Sequence, residues 1–352
     1  MAKTAATKTP IVGLEIEPGY VSAAEVHVNG ALTITRAATR MLAPGVVRDG
    51  EVTDAEALVS VLEDLFRGSG LGKRVRLGVA SPRIVVRTLD LPPLADRGEL
   101  AAAVRFQAAE QLPMPIEQAV LDFQPLGLVE TPEGQRMRVV VVAARRDSIT
   151  TLLDVARSAG LRPEGIDLSA FAMIRALRPL ASGAEVVLYV NVGGLTNLAV
   201  AESSTCLFTR VAASGLEGMI TALAERRALT LEHAQQWLFH VGVATPVSDL
   251  DGDPETIAEA RSVVTDGVRR IGDDARNSLE FYGAQPDSRR VERAIVTGPG
   301  LAIPGLVEEL AAQLGLPVDP GVVAEATPGA TGGVEQARVT IAAGLAVAEV
   351  PA

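Results

Sequence analysis

The chain is expected to be an α/β protein built on a duplicated domain: two lobes with a cleft between them and a small α/β insert in the first lobe. Three features of the sequence predict this. A three-strand meander followed by a helix occurs twice, at 11–66 and again at 186–227. The first hairpin turn of each copy is short, Glu17-Pro18-Gly19 in one and 191–196 (NVGGLT) in the other, so each copy offers a turn to a shared cleft. Between the copies lies a stretch with a helix and strands of its own.

In the first copy, 11–16 is an apolar strand, 20–28 the second strand and 31–38 the third, with Asn29-Gly30 the strongest short hairpin signal between them. A helix over 53–66 follows. Residues 74–89 (RVRLGVASPRIVVRTL) read as two strands around a Ser81-Pro82 turn. Leu91-Pro92-Pro93-Leu94 breaks the pattern and opens the insert. A helix over 95–111 carries Leu100, Val104 and Ala108 on one face, and Pro113 and Pro115 stop it. Strands over 121–128 and 136–144 and a helix over 148–159 complete the insert, and a helix over 169–177 connects the lobes. In the second copy, 186–192 is β-branched and alternates poorly, as a strand buried on both faces should. Strands over 196–201 and 205–213 follow, and Gly215 opens onto a helix. A short helix over 231–239 and an acidic loop over 246–254 come next. Thr256 and Glu259 fit a capping box. Behind them Val264, Val268, Ile271, Ala275, Leu279 and Tyr282 recur at helical spacing. A strand over 293–296, the turn Thr297-Gly298-Pro299-Gly300 and a helix over 305–314 close the second lobe. The expected limits are a disordered tail over 1–10, the first-lobe core over 11–91, the insert over 92–165, and the connecting helix and second lobe over 166–352, with the C-terminal helix returning to the first lobe.

Composition narrows the function classes. At 352 residues the chain is long enough for two lobes. Its mean hydropathy of +0.26 comes from Ala, Val and Leu, since aromatics are only 3%, which favours packed α/β layers over membrane spans. The leader MAKTAATKTP lacks the apolar segment of a signal peptide. A net charge of −11 argues against nucleic acid as a partner and against charge-driven binding to an acidic lipid surface. The single Cys206 suits a reducing cytosol.

Several signals carry no chemistry. The run at 68–73 (GSGLGK) resembles a P-loop but has Arg67 and Arg74 where the first glycine and the metal-binding hydroxyl belong, and it follows a helix where a strand is required. His233 and His240 have no acidic or cysteine partner at metal spacing, so no metal site is expected. Trp237 reads as a core or lobe-interface residue.

The meanders, the insert and the glycine turn together resemble the actin-like (ribonuclease H-like) ATPase superfamily, and more specifically the PilM family of FtsA-like proteins of type IV pilus assembly. The most specific segment is 99–127 (ELAAAVRFQAAEQLPMPIEQAVLDFQPLG), continued by Ala143-Ala144-Arg145, Leu161-Arg162-Pro163, Ile166-Asp167, Phe171-Ala172, the run 277–282 (NSLEFY) and Gly298-Pro299-Gly300. The resemblance implies an ATP and Mg²⁺ cleft. Glu15 and Glu17 would lie at its first phosphate loop, and Asn191, Gly193, Gly194 and Thr196 at the second, with Gly215 behind them. Gly298 and Gly300 would form the adenosine loop, and Arg276 would lie near the adenine or ribose. It also implies a partner: the cytoplasmic tail of a PilN-like membrane protein, held beside the insert, with Arg87, Arg105 and Phe106 as candidate contacts. Phe106 reads as core packing ahead of a groove wall.

The chain departs from the family pattern at four places. Glu17 stands where a glycine follows the first strand, and Ser22 where a lysine-like donor is usual. Asn191 replaces the acidic residue that holds the Mg²⁺ hydration shell, in a loop one residue short. Ser169-Ala170 replaces the Glu-Pro pair that positions water. These changes remove or reverse charges that would organise the phosphates and predict that hydrolysis is lost or nearly so, leaving nucleotide binding open. The leading expectation is a cytoplasmic scaffold at the inner face of the membrane, associated with it only through its partner and able to assemble with further copies into a ring or filament. The alternative is a working actin-like ATPase or a superfamily kinase, although no catalytic acid is found at the lobe junction. The C-terminal residues 345–352 (LAVAEVPA) lack the basic amphipathic helix of a membrane anchor.

Overall fold

The computed structural model describes residues 10–29, 31–132, 134–181, 183–333 and 335–347. The tail expected over 1–10 lies outside them apart from Pro10, as do residues 348–352. Two compact units divide the chain. One comprises the residues up to Ala80 and from Ala156 onward, and the other Ser81–Val155.

In the first unit, β1 (Val12–Glu17), β2 (Tyr20–Asn29) and β3 (Ala31–Met41) form the first meander, followed by the small pair β4 (Val47–Arg48) and β5 (Glu51–Val52), helix α1 (Ala55–Phe66) and β6 (Arg74–Val79). Asp54 caps α1 by accepting the Ala57 N–H. The second unit holds β7 (Val85–Leu91), α2 (Arg97–Gln111), β8 (Ala119–Thr131) and β9 (Gly134–Arg145), and α3 (Arg146–Ser158) leads out of it. The first unit resumes with β10 (Arg162–Leu168), α4 (Ser169–Leu177), the second meander β11 (Val186–Val192), β12 (Thr196–Glu202) and β13 (Thr205–Ala212), then α5 (Leu216–Arg227), α6 (Leu231–Val241) and α7 (Pro254–Gly283). It ends with β14 (Arg293–Thr297), α8 (Leu306–Leu314), β15 (Val318–Pro320), β16 (Ala324–Glu325) and α9 (Thr340–Ala346).

Two sheets carry the first unit, one in the order β10-β6-β1-β2-β3-β16 and the other β13-β12-β11-β14-β15. Helices α4 and α9 lie between them. Ala24 and Ile34 of the first sheet and Val187, Tyr189, Ala199 and Ile295 of the second pack on Met173, Ile174, Ile341 and Leu345. The other face of the second sheet, with Leu188, Val190, Leu198 and Val296, is covered by α5 to α8. The stripe foreseen on α7 does this work: Val264, Val268, Ile271, Ala275 and Tyr282 are buried, and Leu279 is partly so.

Small residues set how closely α9 sits. A Cβ on Gly13 would lie 1.8 Å from the Ala342 carbonyl oxygen, and one on Gly344 would lie 2.0 Å from the carbonyl oxygen of Ala172 on α4. The guanidinium groups of Arg76 and Arg175 donate to the Leu345 and Gly344 carbonyls, at 2.9 and 3.2 Å, satisfying groups that a helix end leaves open.

The structure bears out the two strands around the Ser81-Pro82 turn, places them in different sheets, and corrects two other expectations. β6 runs parallel to both β1 and β10, which uses up its two edges, while β7 pairs with β9 in a separate sheet ordered β7-β9-β8. The insert limits of 92–165 therefore give way to Ser81–Val155: β7 belongs to the small sheet, tied to β9 by the bidentate Arg138–Asp90 pair at 2.8 and 2.9 Å, and β10 belongs to the large one. Finally, α7 starts before the expected capping box. Asp253 caps it by accepting from the Thr256 N–H and hydroxyl, with Pro254 at the first position, and Glu259 pairs with Arg226 at 2.7 Å.

The backbone contact at α9 yields a direct test. Gly344→Ala is expected to lower stability in urea unfolding by about 2–3 kcal/mol, because backbone rather than a side-chain tip must give way. Gly218→Ala on the exposed face of α5, where a Cβ meets nothing within 4 Å, should raise it by up to about 1 kcal/mol.

Candidate functional site

The two first hairpin turns meet inside the first unit. Because side chains alternate along a strand, Gly13, Glu15 and Glu17 share one face of β1, and Gly13 shows that this is the face under α9. The carboxyls are thereby carried inside: Glu15 and Glu17 are each 1% exposed. Opposite them on β2 stand Ser22 and Tyr20, their register partners, and the Ser22 hydroxyl donates to Glu15 Oε2 at 2.9 Å. β11 carries the buried Asn191 just before its last residue, Val192, and the chain then turns through Gly193 and Gly194. There the Leu195 N–H donates to Glu17 Oε2 at 3.2 Å, linking the turns of the two meanders.

The glycines at this junction meet protein backbone and side chains. A Cβ on Gly194 would lie 2.1 Å from the Pro18 carbonyl oxygen, and one on Gly193 would have Tyr20 Oη at 3.1 Å and Glu17 Oε2 at 3.3 Å. Gly215 abuts the Gly194 carbonyl at 2.2 Å by the same measure, Gly298 abuts Asn191 Oδ1 at 2.4 Å, and Gly300 abuts Val192. Thr196 is fully buried, and the Thr297 hydroxyl donates to that of Thr340 on α9 at 3.0 Å.

Burial dominates the electrostatics. It pushes Glu17 up from 4.5 to about 8, against the pull of the Leu195 N–H and with a further push from Glu217. Burial, and then the neighbouring Glu17, hold Glu15 well above the usual carboxylate range. Tyr20 is likewise raised, first by burial and then by both carboxyls. The Arg338 guanidinium lies 5.2 Å above the Tyr20 ring and opposes the shifts of Glu15 and Tyr20. Glu217, at the start of α5, is raised by burial and by Asp49 on the β4–β5 turn.

The structure thus gathers Glu15, Glu17, Asn191, Gly193, Gly194, Thr196, Gly215, Gly298 and Gly300 at one junction. Arg276 is not among them: it sits on the outer side of α7, paired with Asp273 at 3.1 Å and donating weakly to the Gln313 carbonyl. Sequence reasoning missed Tyr20, Glu217 and Arg338. Tyr20 had a readable signal, since it is paired in register with Glu17 across a two-residue turn.

The second unit offers a different surface. α2 packs Leu100, Val104 and Ala108 on Leu89, Leu91, Val139 and Val141 of the small sheet. Where α2 stops, a shallow groove remains over the sheet, lined by Val85, Arg87, Leu89, Gln111, Leu112 and Val141 among others. Phe106 corrects the core expectation, being 75% exposed. It follows Val104 by two residues, roughly 200° around the helix, and so faces away from the sheet. Arg105 is also exposed on α2. Of the three candidate contacts, only Arg87 lines the groove.

Residues 13–346 match the profile of the family described as type IV pilus assembly protein PilM. The chain belongs to the PilM family. Among solved structures it is similar to a PilM-PilN type IV pilus biogenesis complex, at 25% identity over 96% of this chain and 97% of that one, with a TM-score of 0.79. It also resembles the ethanolamine utilization protein EutJ from Carboxydothermus hydrogenoformans (15% identity, 97% and 90% coverage, TM-score 0.55) and ADP-bound MreB5 of Spiroplasma citri (13%, 95% and 94%, TM-score 0.54). These neighbours show that this PilM-family chain has the actin-like fold. Among the described residues no helix is long and apolar enough to cross a membrane.

The raised Glu17 predicts how stability follows pH. Between 4.5 and about 8 the folded state holds a proton that the unfolded chain lacks. This contribution is whole below the lower value and is lost as pH rises through the upper one, by up to about 1.4 kcal/mol per pH unit. Urea unfolding from about pH 5 to 9 should show that decline, and Glu17→Gln should reduce its slope. An equal slope in the variant contradicts the assignment.

Proposed function

We propose that this PilM-family protein is a scaffold of type IV pilus assembly that docks the cytoplasmic tail of a PilN-like membrane protein on its second unit, without turning over ATP. The observation that carries the reading is the full-length likeness to a PilM solved with PilN, combined with the groove beside α2. The groove encloses little space, far less than a small-molecule pocket, and is suited to one or two side chains of an extended peptide. Arg87 at its rim supplies a donor for the peptide's carbonyl or acidic groups, and the flanking Val85, Leu89 and Leu112 supply the apolar surface. Such a tail would bring the protein to the inner face of the cytoplasmic membrane.

ATP and Mg²⁺ do not fit the junction in this arrangement. The Leu195 N–H that a phosphate would use is taken by Glu17, and Gly194 lies against Pro18. Ser169 at the head of α4 and Asn191 on β11 cannot act as a general base for attacking water.

Two measurements test this reading. Arg87→Glu, or the groove-filling Gln111→Trp, is expected to weaken binding of the partner's tail at least about tenfold by calorimetry. Both side chains are exposed, so the fold should survive, and unchanged binding by both variants would remove the docking site. Purified protein with Mg²⁺ should release no phosphate from ATP above background. Steady release that disappears in a variant of Gly194 would establish an enzyme instead.

A further inference from the structure

Phe106 is the most exposed large apolar side chain among the described residues, and the groove beside α2 does not use it. α2 buries Leu100, Val104 and Ala108 against the small sheet. At about 100° per residue, the opposite side of the helix carries Ala102, Phe106 and Ala109, and all three are exposed. Charge is divided about this apolar strip. Glu99 and Glu110 lie along one edge and Arg105 along the other, each of them exposed. Among the described residues none of these three side chains has an ion-pair partner, whereas Arg138 and Arg145 of the same unit are paired with Asp90 and Asp147. In heptad terms Phe106 takes an a position, with Ala102 and Ala109 at the flanking d positions. Arg105 and Glu110 then fall at g and e, the places from which paired helices reach across to one another.

We propose that this face of α2 is a self-association surface, through which two copies of the chain pair with their helices parallel about a two-fold axis. Each Phe106 then enters the hole formed by Ala102, Arg105, Phe106 and Ala109 of the partner subunit, and the small alanines let the helices approach. Charge complementarity selects the parallel arrangement. A two-fold axis along the helices sets the acidic edge of each copy beside the basic edge of the other, so Arg105 meets the partner's Glu110 on both sides of the contact. An antiparallel pair would set acidic edge on acidic edge and Arg105 on Arg105. Glu99, at the preceding a position, faces its own copy across the axis and ends the contact there. A contact of about two helical turns lies below the roughly 1,200 Å² of stable complexes, so the pair is a transient one that concentration drives. A two-fold contact closes after two copies, giving pairs and not by itself a ring or filament. The surface is independent of tail docking, because Phe106 points away from the sheet that carries the groove.

Sedimentation equilibrium of the full chain from about 5 to 500 µM tests the pairing, over the range where small interfaces assemble. The wild type should pass from monomer toward dimer, and Phe106→Asp should stay monomeric throughout. Arg105→Glu, which turns both attractions into repulsions, should weaken association about tenfold, and adding Glu110→Arg should restore it. Glu99→Leu, which replaces a like-charged pair by an apolar one, should tighten association about tenfold. All four side chains are exposed, so the fold should survive each change. A wild type that stays monomeric, or a Phe106→Asp that dimerises as the wild type does, would overturn the proposal. An association unmoved in Arg105→Glu would overturn the parallel pairing. Calorimetry with the partner's tail addresses the other occupant of this face. Phe106→Asp should bind the tail as the wild type does, and a tail affinity lost in that variant would give the face to the tail and overturn self-association there.

Discussion

The hydrogen bond from the Leu195 N–H to Glu17 joins the first turns of two meanders that are 178 residues apart in sequence. Much of the first unit is arranged around that contact. The first sheet brings Glu17 inward because Gly13, on the same face of β1, admits α9 at backbone distance. The second sheet brings Leu195 to it because β11 ends in Val192 and the chain turns through two glycines. Gly194 allows the Pro18 carbonyl to touch the second turn, and Gly215 allows the start of α5 to close behind it. A methyl group at either glycine would force backbone from backbone. The contact is thus a geometric constraint as well as an electrostatic one, and four segments distant in sequence must agree for it to form.

In an actin-like fold such a junction is where anion-binding backbone groups would collect, since strand-to-turn N–H groups form a nest. Here the chain provides its own carboxyl for one of them. On the proposed reading the fold has kept its architecture, with α4 and α9 packed between two sheets, while the junction has become a structural joint. Binding would then rest with the second unit, whose small sheet is fixed by the Arg138–Asp90 pair and by α2. That pair holds Asp90 below the usual carboxylate range, through the hydrogen bond from Arg138, and keeps the edge strand carrying Arg87 in register.

Much of this fold is legible in the sequence, for reasons specific to particular elements. The α7 stripe from Val264 to Tyr282 and the α4 limits Ser169–Leu177 can be read because helical periodicity is local. The duplicated meander can be read because its turns are short and each strand pairs with the next. The partner of β7 cannot, since pairing with β9 is a choice among distant strands, and the Ser81-Pro82 turn looks the same whether it closes a hairpin or crosses between sheets. Glu15 and Glu17 alternate with Leu14 and Ile16 as they would on a half-exposed strand. Nothing local reveals that α9, more than 300 residues on, covers their face. Phe106 is a different case. Its place two residues after Val104 already sets it on the outer side of α2, so the helical spacing, taken consistently, shows its exposure.

The central claim is that docking on the second unit proceeds without help from a nucleotide at the junction. The most direct measurement is calorimetric titration of the full chain with the partner's cytoplasmic tail, in the presence and absence of Mg-ATP. Linkage requires that any nucleotide coupled to docking change the tail's affinity, and that the tail change the nucleotide's affinity by the same factor. The proposed scaffold predicts tail binding with the same dissociation constant in both titrations. A tail affinity that rises or falls with Mg-ATP would contradict it and restore the junction as a working nucleotide site.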